Sequence, residues 1–160
     1  MTPFNVAIVR WIRGAFDFRT RSTRADYWWP RLLVLGVNVL MLMVFVGAIG
    51  DDGAAALLDW VATEPDTLDD FPISPLPSLA TFALVFGVVF GVLTFIPDLA
   101  VSWRRFHDLG QPGWLHLLFI LAGALFPLAS LGEMVWFAMP GQRHSNRYGQ
   151  DPLDSQADVF

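Results

Sequence analysis

Apolar residues fall along this chain in long unbroken runs rather than in short alternations. No charged side chain occurs from Leu32 to Gly50, nor from Phe71 to Pro97. Each run reaches the roughly 18 to 20 residues that carry a helix across a bilayer core. They predict membrane spans over residues 29–49 and 79–101. The second span contains Gly87 and Gly91, a spacing that lets helices approach closely in lipid. A third apolar region, residues 114–139, is interrupted by Gly, Pro and Ser between Ala122 and Gly132. As one helix it would be about 39 Å long at about 1.5 Å per residue and would cross with tilt. Broken in the middle, it becomes a hairpin of two short helices that returns the chain to the side it left.

Ahead of the first span, FNVAIVRWIRGAF places Phe4, Ile8, Trp11, Ile12 and Ala15 on one helical face and Arg10 and Arg13 on the other. That is the pattern of a helix lying in the membrane interface. In FDFRTRSTRADYWWP, Thr23 and Asp26 have the spacing of a capping box at a helix start. Tyr27, Trp28 and Trp29 then stand where an aromatic belt meets lipid headgroups. Pro30 marks either a kink or the first turn of the span. No small-residue cleavage signature accompanies the first run, so it is expected to remain as an anchor. Residues 50–78 form an acidic loop with one short surface helix around ALLDWVA. The end of the chain, rich in Gly, Pro, Asn and Asp, reads as turn and loop, with residues 153–160 a mobile acidic tail.

Composition agrees with the hydrophobic pattern. Apolar residues make up 54% of the chain and charged residues 16%, against about a quarter charged in soluble domains. The net charge of −5 conceals a segregation of signs. All ten basic residues are arginine, and none lies in GDDGAAALLDWVATEPDTLDDF, which holds seven acids. The positive-inside bias assigns residues 1–28 and a loop over residues 102–113 to the cytoplasm, and residues 50–78 to the outside. The hairpin form of residues 114–139 keeps Arg143 and Arg147 with the other arginines and is favoured for that reason. With no cysteine there is neither a disulfide nor a thiolate metal site.

Candidate chemistry is sparse. Arg19, Arg21 and Arg24 precede the first span closely enough to set topology and meet anionic headgroups. No recognition helix accompanies them, so nucleic acid is not an expected partner. In SWRRFHDLGQPGW, Arg104, Arg105, His107 and Asp108 form a candidate polar cluster. If the second span continues past Val101, Asp98 and Arg105 share a face, and Arg104 and Asp108 stand at i, i+4. One reading is a charge-balanced helix end followed by a turn; the other makes His107 and Asp108 an acid–base pair. His107, His116 and His144 form no metal-ligand pattern. Asp98, His116 and Glu133 lie in or at the edge of apolar segments, and such groups are often functional, so a small transporter or channel subunit is the alternative reading. Nucleophile elbows, phosphate loops and dinucleotide-binding glycine patterns are absent, and no cofactor is implied.

Three pieces, FRTRSTRADYWW, RRFHDLGQPGW and NRYGQDP, together resemble the DUF805 family of small bacterial inner-membrane proteins, over about residues 16 to 152. The chain departs from the family pattern at Thr20 (usually Gly), Asp26 (often Glu), Phe106 (Leu), Pro112 (Ser) and Leu115 (Trp). The resemblance implies a polytopic protein of the cytoplasmic membrane and carries no catalytic residues. The expectation is an all-α, multi-pass, non-enzymatic protein, one membrane domain over residues 1–152, with its N-terminus in the cytoplasm. Its partners would be anionic lipid, another membrane protein or a second copy. Its polar cluster would meet the Arg19–Arg24 segment and the NRYG tail.

Overall fold

A computed structural model describes residues 2–63, 71–73, 75–126 and 128–154. Residues 64–70 and 74 of the acidic loop and residues 155–160 of the acidic tail lie outside the described residues. Within them the chain is all-helical: α1 (Phe4–Arg13), α2 (Arg24–Ala62), α3 (Ser78–Asp108), α4 (Leu115–Leu125) and α5 (Leu128–Ala138). The chain divides into two compact units, one of Met1–Leu33 with Thr94–Phe160, the other of Val34–Leu93.

The second unit is the excursion. It holds the apolar lengths of α2 and α3, whose Leu40, Leu42, Met43, Val88, Val92 and Leu93 are all exposed. Helices of this length and composition that turn large apolar side chains outward belong in lipid rather than in a soluble core. At Gly50 the backbone leaves helical geometry (φ 71°, ψ −179°), which ends the long apolar part of α2 and starts the short helix of the acidic loop. That helix is closed by an edge-on contact between Trp60 and Phe71, with ring centres 5.5 Å apart.

The first unit contains both ends of that excursion together with α1, α4 and α5. At the start of α2 the capping box forms as its spacing predicts. Asp26 Oδ2 accepts from Thr23 N at 3.2 Å and Thr23 Oγ1 at 2.8 Å, and Asp26 N donates back to Thr23 Oγ1 at 3.2 Å. Pro30 falls inside α2 and is buried. The face that α1 buries is Ala7 and Trp11, continued by Ala15 just beyond its end, whereas Phe4, Val9 and Ile12 stay exposed. Trp11 and Ala15 are on the predicted face; Ile12 is not covered.

One boundary differs from the sequence expectation. The helix α3 runs seven residues beyond Val101, so residues 102–108 are its last two turns and not part of a loop. It ends in a Schellman motif: Gln111 N bonds Phe106 O at 2.9 Å and Gly110 N bonds His107 O at 3.0 Å, with Gly110 at φ 75°. The third apolar region is the hairpin. Helices α4 and α5 are each 11 residues long, about 16 Å, roughly half the thickness of a bilayer core. They are joined by a side-chain bond from His116 to Glu133. Around them gathers the aromatic core of the unit, in which Phe106 meets Phe137 edge-on at 4.7 Å and Trp136 at 5.6 Å.

One unit holds both the N-terminal segment and the tail, and Arg21 donates to His144 O and Gly149 O, so both are expected to face one compartment. The chain has no cysteine, so Asn5→Cys and Ser145→Cys, both exposed, can be labelled singly. A membrane-impermeant maleimide should reach both from the same side of sealed vesicles and reach Asp51→Cys from the other.

Candidate functional site

The last turn of α3 builds a buried ionic centre. Asp108 presents both carboxylate oxygens to arginine. Oδ1 accepts from Arg21 Nε at 3.1 Å and Nη2 at 2.9 Å, and Oδ2 accepts from Arg105 Nη1. Both guanidinium side chains are essentially sealed, at 1% and 0% exposure. Their remaining N–H groups turn to backbone carbonyls. Arg21 donates to His144 O at 2.9 Å, Gly149 O at 3.2 Å and Gln142 O. Arg105 donates to Phe137 O through Nε at 3.2 Å and Nη2 at 3.0 Å, and to Met139 O. In this way Arg105 satisfies carbonyls that the end of α5 leaves without helical partners.

The backbone closes over the same carboxylate. Gln142 N donates to Asp108 O at 3.0 Å, and the chain passes so near at Gly141 that an added Cβ would collide with the Asp108 carboxylate. Burial pushes the Asp108 carboxyl upward, and the Arg105 and Arg21 guanidiniums pull against it. Burial likewise pulls Arg105 below its ordinary value, with Asp108 opposing. The arrangement is a clamp that joins three segments distant in sequence.

His107 is one residue away and makes different contacts. Its Nδ1 lies 3.1 Å from Thr20 O, a group that only accepts, so Nδ1 carries a proton. Its ring stacks on Tyr148, centres 3.7 Å apart and planes within 3°. Its carbonyl accepts from Asn146 Nδ2 at 3.0 Å, within a turn closed by the Asn146–Gly149 bridge. Burial lowers the His107 pKa, although the Thr20 and Arg19 carbonyls oppose this. His107 and Asp108 therefore face different partners, and no acid–base pair forms between them.

Arg104 points elsewhere. Its Nη1 lies 3.8 Å from Asp17 Oδ2, its Nε has no hydrogen-bond partner, and burial pulls its pKa below the ordinary value against Asp17 and Asp26. Asp17 is held in a tight turn, accepting from Arg19 N at 2.9 Å and from Thr20 N at 3.2 Å. Burial alone would raise the Asp17 carboxyl, but these bonds and that of the Thr20 hydroxyl hold it below its usual range.

The polar groups expected in or near lipid are each paired. Asp98 accepts from Trp11 Nε1 at 3.0 Å and from Arg31 Nη1 at 3.4 Å; Arg31 also donates to Ser102 Oγ at 3.0 Å. His116 Nδ1 and Glu133 Oε1 are 2.6 Å apart and buried. The partnerships of Asp98 with Arg105 and of Arg104 with Asp108 do not form. Arg105 meets Asp108 at i, i+3, and Arg104 meets Asp17. The three arginines placed near headgroups also separate. Arg19 and Arg24 are exposed, whereas Arg21 is internal and cannot touch lipid. No group of three or more potential metal ligands occurs among the described residues.

The sequence did not mark Trp11, Asp17, Gly141 or Gln142 as site residues, whereas Asn146 and Tyr148 lie in the NRYG tail that it placed against the cluster, and they bond to and stack on His107. Only NRYG carried a visible signal, as a piece of a family pattern.

Comparison with known proteins places this geometry in context. Residues 15–150 match the family model described as "Protein of unknown function (DUF805)", which includes every residue of the clamp. The chain is 32% identical over 141 residues to inner membrane protein YhaH of Escherichia coli K12, covering 88% of this chain and 91% of that protein. It is 37% identical over 66 residues to inner membrane protein YhaI of the same organism, covering 41% of this chain and 52% of that protein. No solved structure matches the chain.

Removing the centre of the clamp leaves two buried guanidiniums uncompensated. Asp108→Ala should cost about 3 to 5 kcal/mol, read as a lower unfolding midpoint in detergent. Gly141→Ala acts on the same carboxylate, so its effect and that of Asp108→Ala should be less than additive. For His107 the lowered folded pKa means that the unfolded chain binds its proton first as pH falls. Stability should be full well above about pH 6.5 and decline below it until the folded ring is also protonated. His107→Gln should flatten that part of the midpoint-versus-pH curve.

Proposed function

The chain belongs to the DUF805 family, and from that premise we propose a non-enzymatic, multi-pass protein of the bacterial cytoplasmic membrane whose cytoplasmic arginines bind anionic lipid headgroups. The observation that carries this reading is how charge is partitioned in the unit that holds both chain ends. Arg10, Arg13, Arg19, Arg24, Arg143 and Arg147 are exposed, whereas Asp26, Asp108 and Asp151 are buried. Exposed guanidiniums near a membrane gain about 1 kcal/mol each from an anionic surface. Exposed Phe4, Ile12, Trp29 and Trp114 on the same unit suit the depth at which headgroups lie. The positive-inside bias supports cytoplasmic placement of this unit.

A structural use of His107 favours the non-enzymatic reading, since its proton is given to a backbone carbonyl and its ring face to Tyr148. A transport role would draw on Asp98, His116 or Glu133, and all three have side-chain partners. Flux in proteoliposomes that is abolished by Asp98→Asn would favour transport instead.

Purified protein in maltoside detergent should gain more thermal stability from phosphatidylglycerol than from phosphatidylcholine, and the difference should shrink with added salt. Replacing Arg19, Arg24, Arg143 and Arg147 together by Gln should reduce the salt-sensitive part of that difference. Equal stabilisation by the two lipids would defeat the reading. A reporter fused after Phe160 should be active in its cytoplasmic form.

A further inference from the structure

Beside the clamp, within the same unit, α1, the segment after it and the end of α3 enclose an open cleft of about 410 Å³. Two polar atoms of residues lining it have no hydrogen-bond partner, although both side chains are more than nine-tenths buried. They are Nε of Arg104, at 7% side-chain exposure, and Oδ1 of Asp26, at 8%. Their nearest charges are too distant to hydrogen-bond: Arg10 Nη1 lies 3.6 Å from Asp26 Oδ1, and Asp17 Oδ2 lies 3.8 Å from Arg104 Nη1. An unused cationic donor and an unused anionic acceptor thus belong to side chains that border one cleft, and buried polar groups are seldom left so.

The charges narrow the ligand. Arg10, Arg13 and Arg104 line the cleft against Asp17 and Asp26, leaving one positive charge. Arg21 also borders it, but its Nε, Nη1 and Nη2 groups are already committed to Asp108 and to the carbonyls of Gln142, His144 and Gly149. The ligand chemistry that complements this lining carries one negative charge and, separately, a neutral hydrogen-bond donor. We propose that the cleft is the headgroup site of a lipid with a phosphodiester linked to a hydroxyl-bearing alcohol, the chemistry of phosphatidylglycerol. Its phosphate oxygens accept from Arg104 Nε and from Arg10 and Arg13 at the rim. Its hydroxyl donates to Asp26 Oδ1.

The exposed apolar side chains of α1 decide for a lipid over a soluble phosphate. Val9 lines the cleft at 46% exposure, and Phe4 and Ile12 are exposed at 47% and 59% on the same helix. They set the cleft at the level of the headgroups, where acyl chains have an apolar surface to leave along. Choline headgroups lack a donor for Asp26. Phosphatidic acid lacks the alcohol, and an ethanolamine headgroup leaves the net positive charge uncompensated.

The inference rests on the anionic-lipid reading above but assigns it to different residues, so the two can fail separately. Full-length protein in maltoside would be titrated with dihexanoyl phosphatidylglycerol, the matching ethanolamine, choline and phosphatidic acid lipids, and glycerol phosphate, by calorimetry. Phosphatidylglycerol should bind tightest. Arg104→Gln should weaken it about 10-fold or more. Arg104→Lys should not restore it, because the Nε donor is lost. Arg10→Gln and Arg13→Gln, at exposed positions where folding is not at stake, should each weaken it several-fold. Asp26→Asn should narrow the preference for phosphatidylglycerol over phosphatidic acid. Unchanged affinity in the Arg10 and Arg13 variants, with loss in the Arg19, Arg24, Arg143 and Arg147 variant, overturns the cleft and leaves the general reading standing. Preference for the ethanolamine lipid, or equal binding of glycerol phosphate, also overturns it. Absence of any lipid preference removes both.

Discussion

One carboxylate organises the polar end of this protein. Asp108 sits at the last residue of α3 and is held between two sealed guanidiniums, Arg21 from the segment before the first span and Arg105 from its own helix. A buried charge is tolerated only where it is matched and hydrogen-bonded on all sides. Meeting that condition draws in the rest. Arg105 reaches the last carbonyls of α5, Arg21 reaches the carbonyls of the tail, and the chain at Gly141 packs against the carboxylate. The aromatic core under Phe106 then fills the space between α3, α4 and α5.

Much of the architecture could be read from the order of residues. Two helices long and apolar enough to cross a membrane follow from uninterrupted apolar length, and the capping box at Thr23 and Asp26 from short-range spacing. The turn at Gly110 also lies in a recognisable Gly–Gln–Pro–Gly stretch. The hairpin could be favoured from arginine sidedness, although its two helices are set by a local break in the chain. The end of α3 was harder to place. Charged residues after Val101 suggested an exit into water, whereas Ser102 and Arg105 are buried completely because neighbouring segments supply their partners. Hydropathy measures what a side chain prefers in isolation, and here tertiary contacts override it.

The clamp itself was hidden for a chemical reason. The acceptors that the two guanidiniums use, other than Asp108, are backbone carbonyls at Phe137, Met139, Gln142, His144 and Gly149. A carbonyl is present at every position, so no choice of residue betrays its use. Trp11 and Asp98 illustrate the same limit with side chains, since their bond joins positions 87 apart that carry no common pattern. The cleft beside the clamp is also only partly a property of the family-matched region. Its outer wall, α1, precedes residue 15, where that region begins.

The dependence of Arg21 on the tail orders the steps of biosynthesis. Its carbonyl partners at His144 and Gly149 are 123 and 128 residues further along the chain. At about 5 to 20 residues per second, the guanidinium waits on the order of 6 to 26 s after translation before those partners are made. Both long helices can therefore enter the membrane while the polar end is still open. Until then Arg21 has no tail carbonyl to donate to, and a guanidinium without partners is costly to bury, so the polar end can close only after the tail has been made.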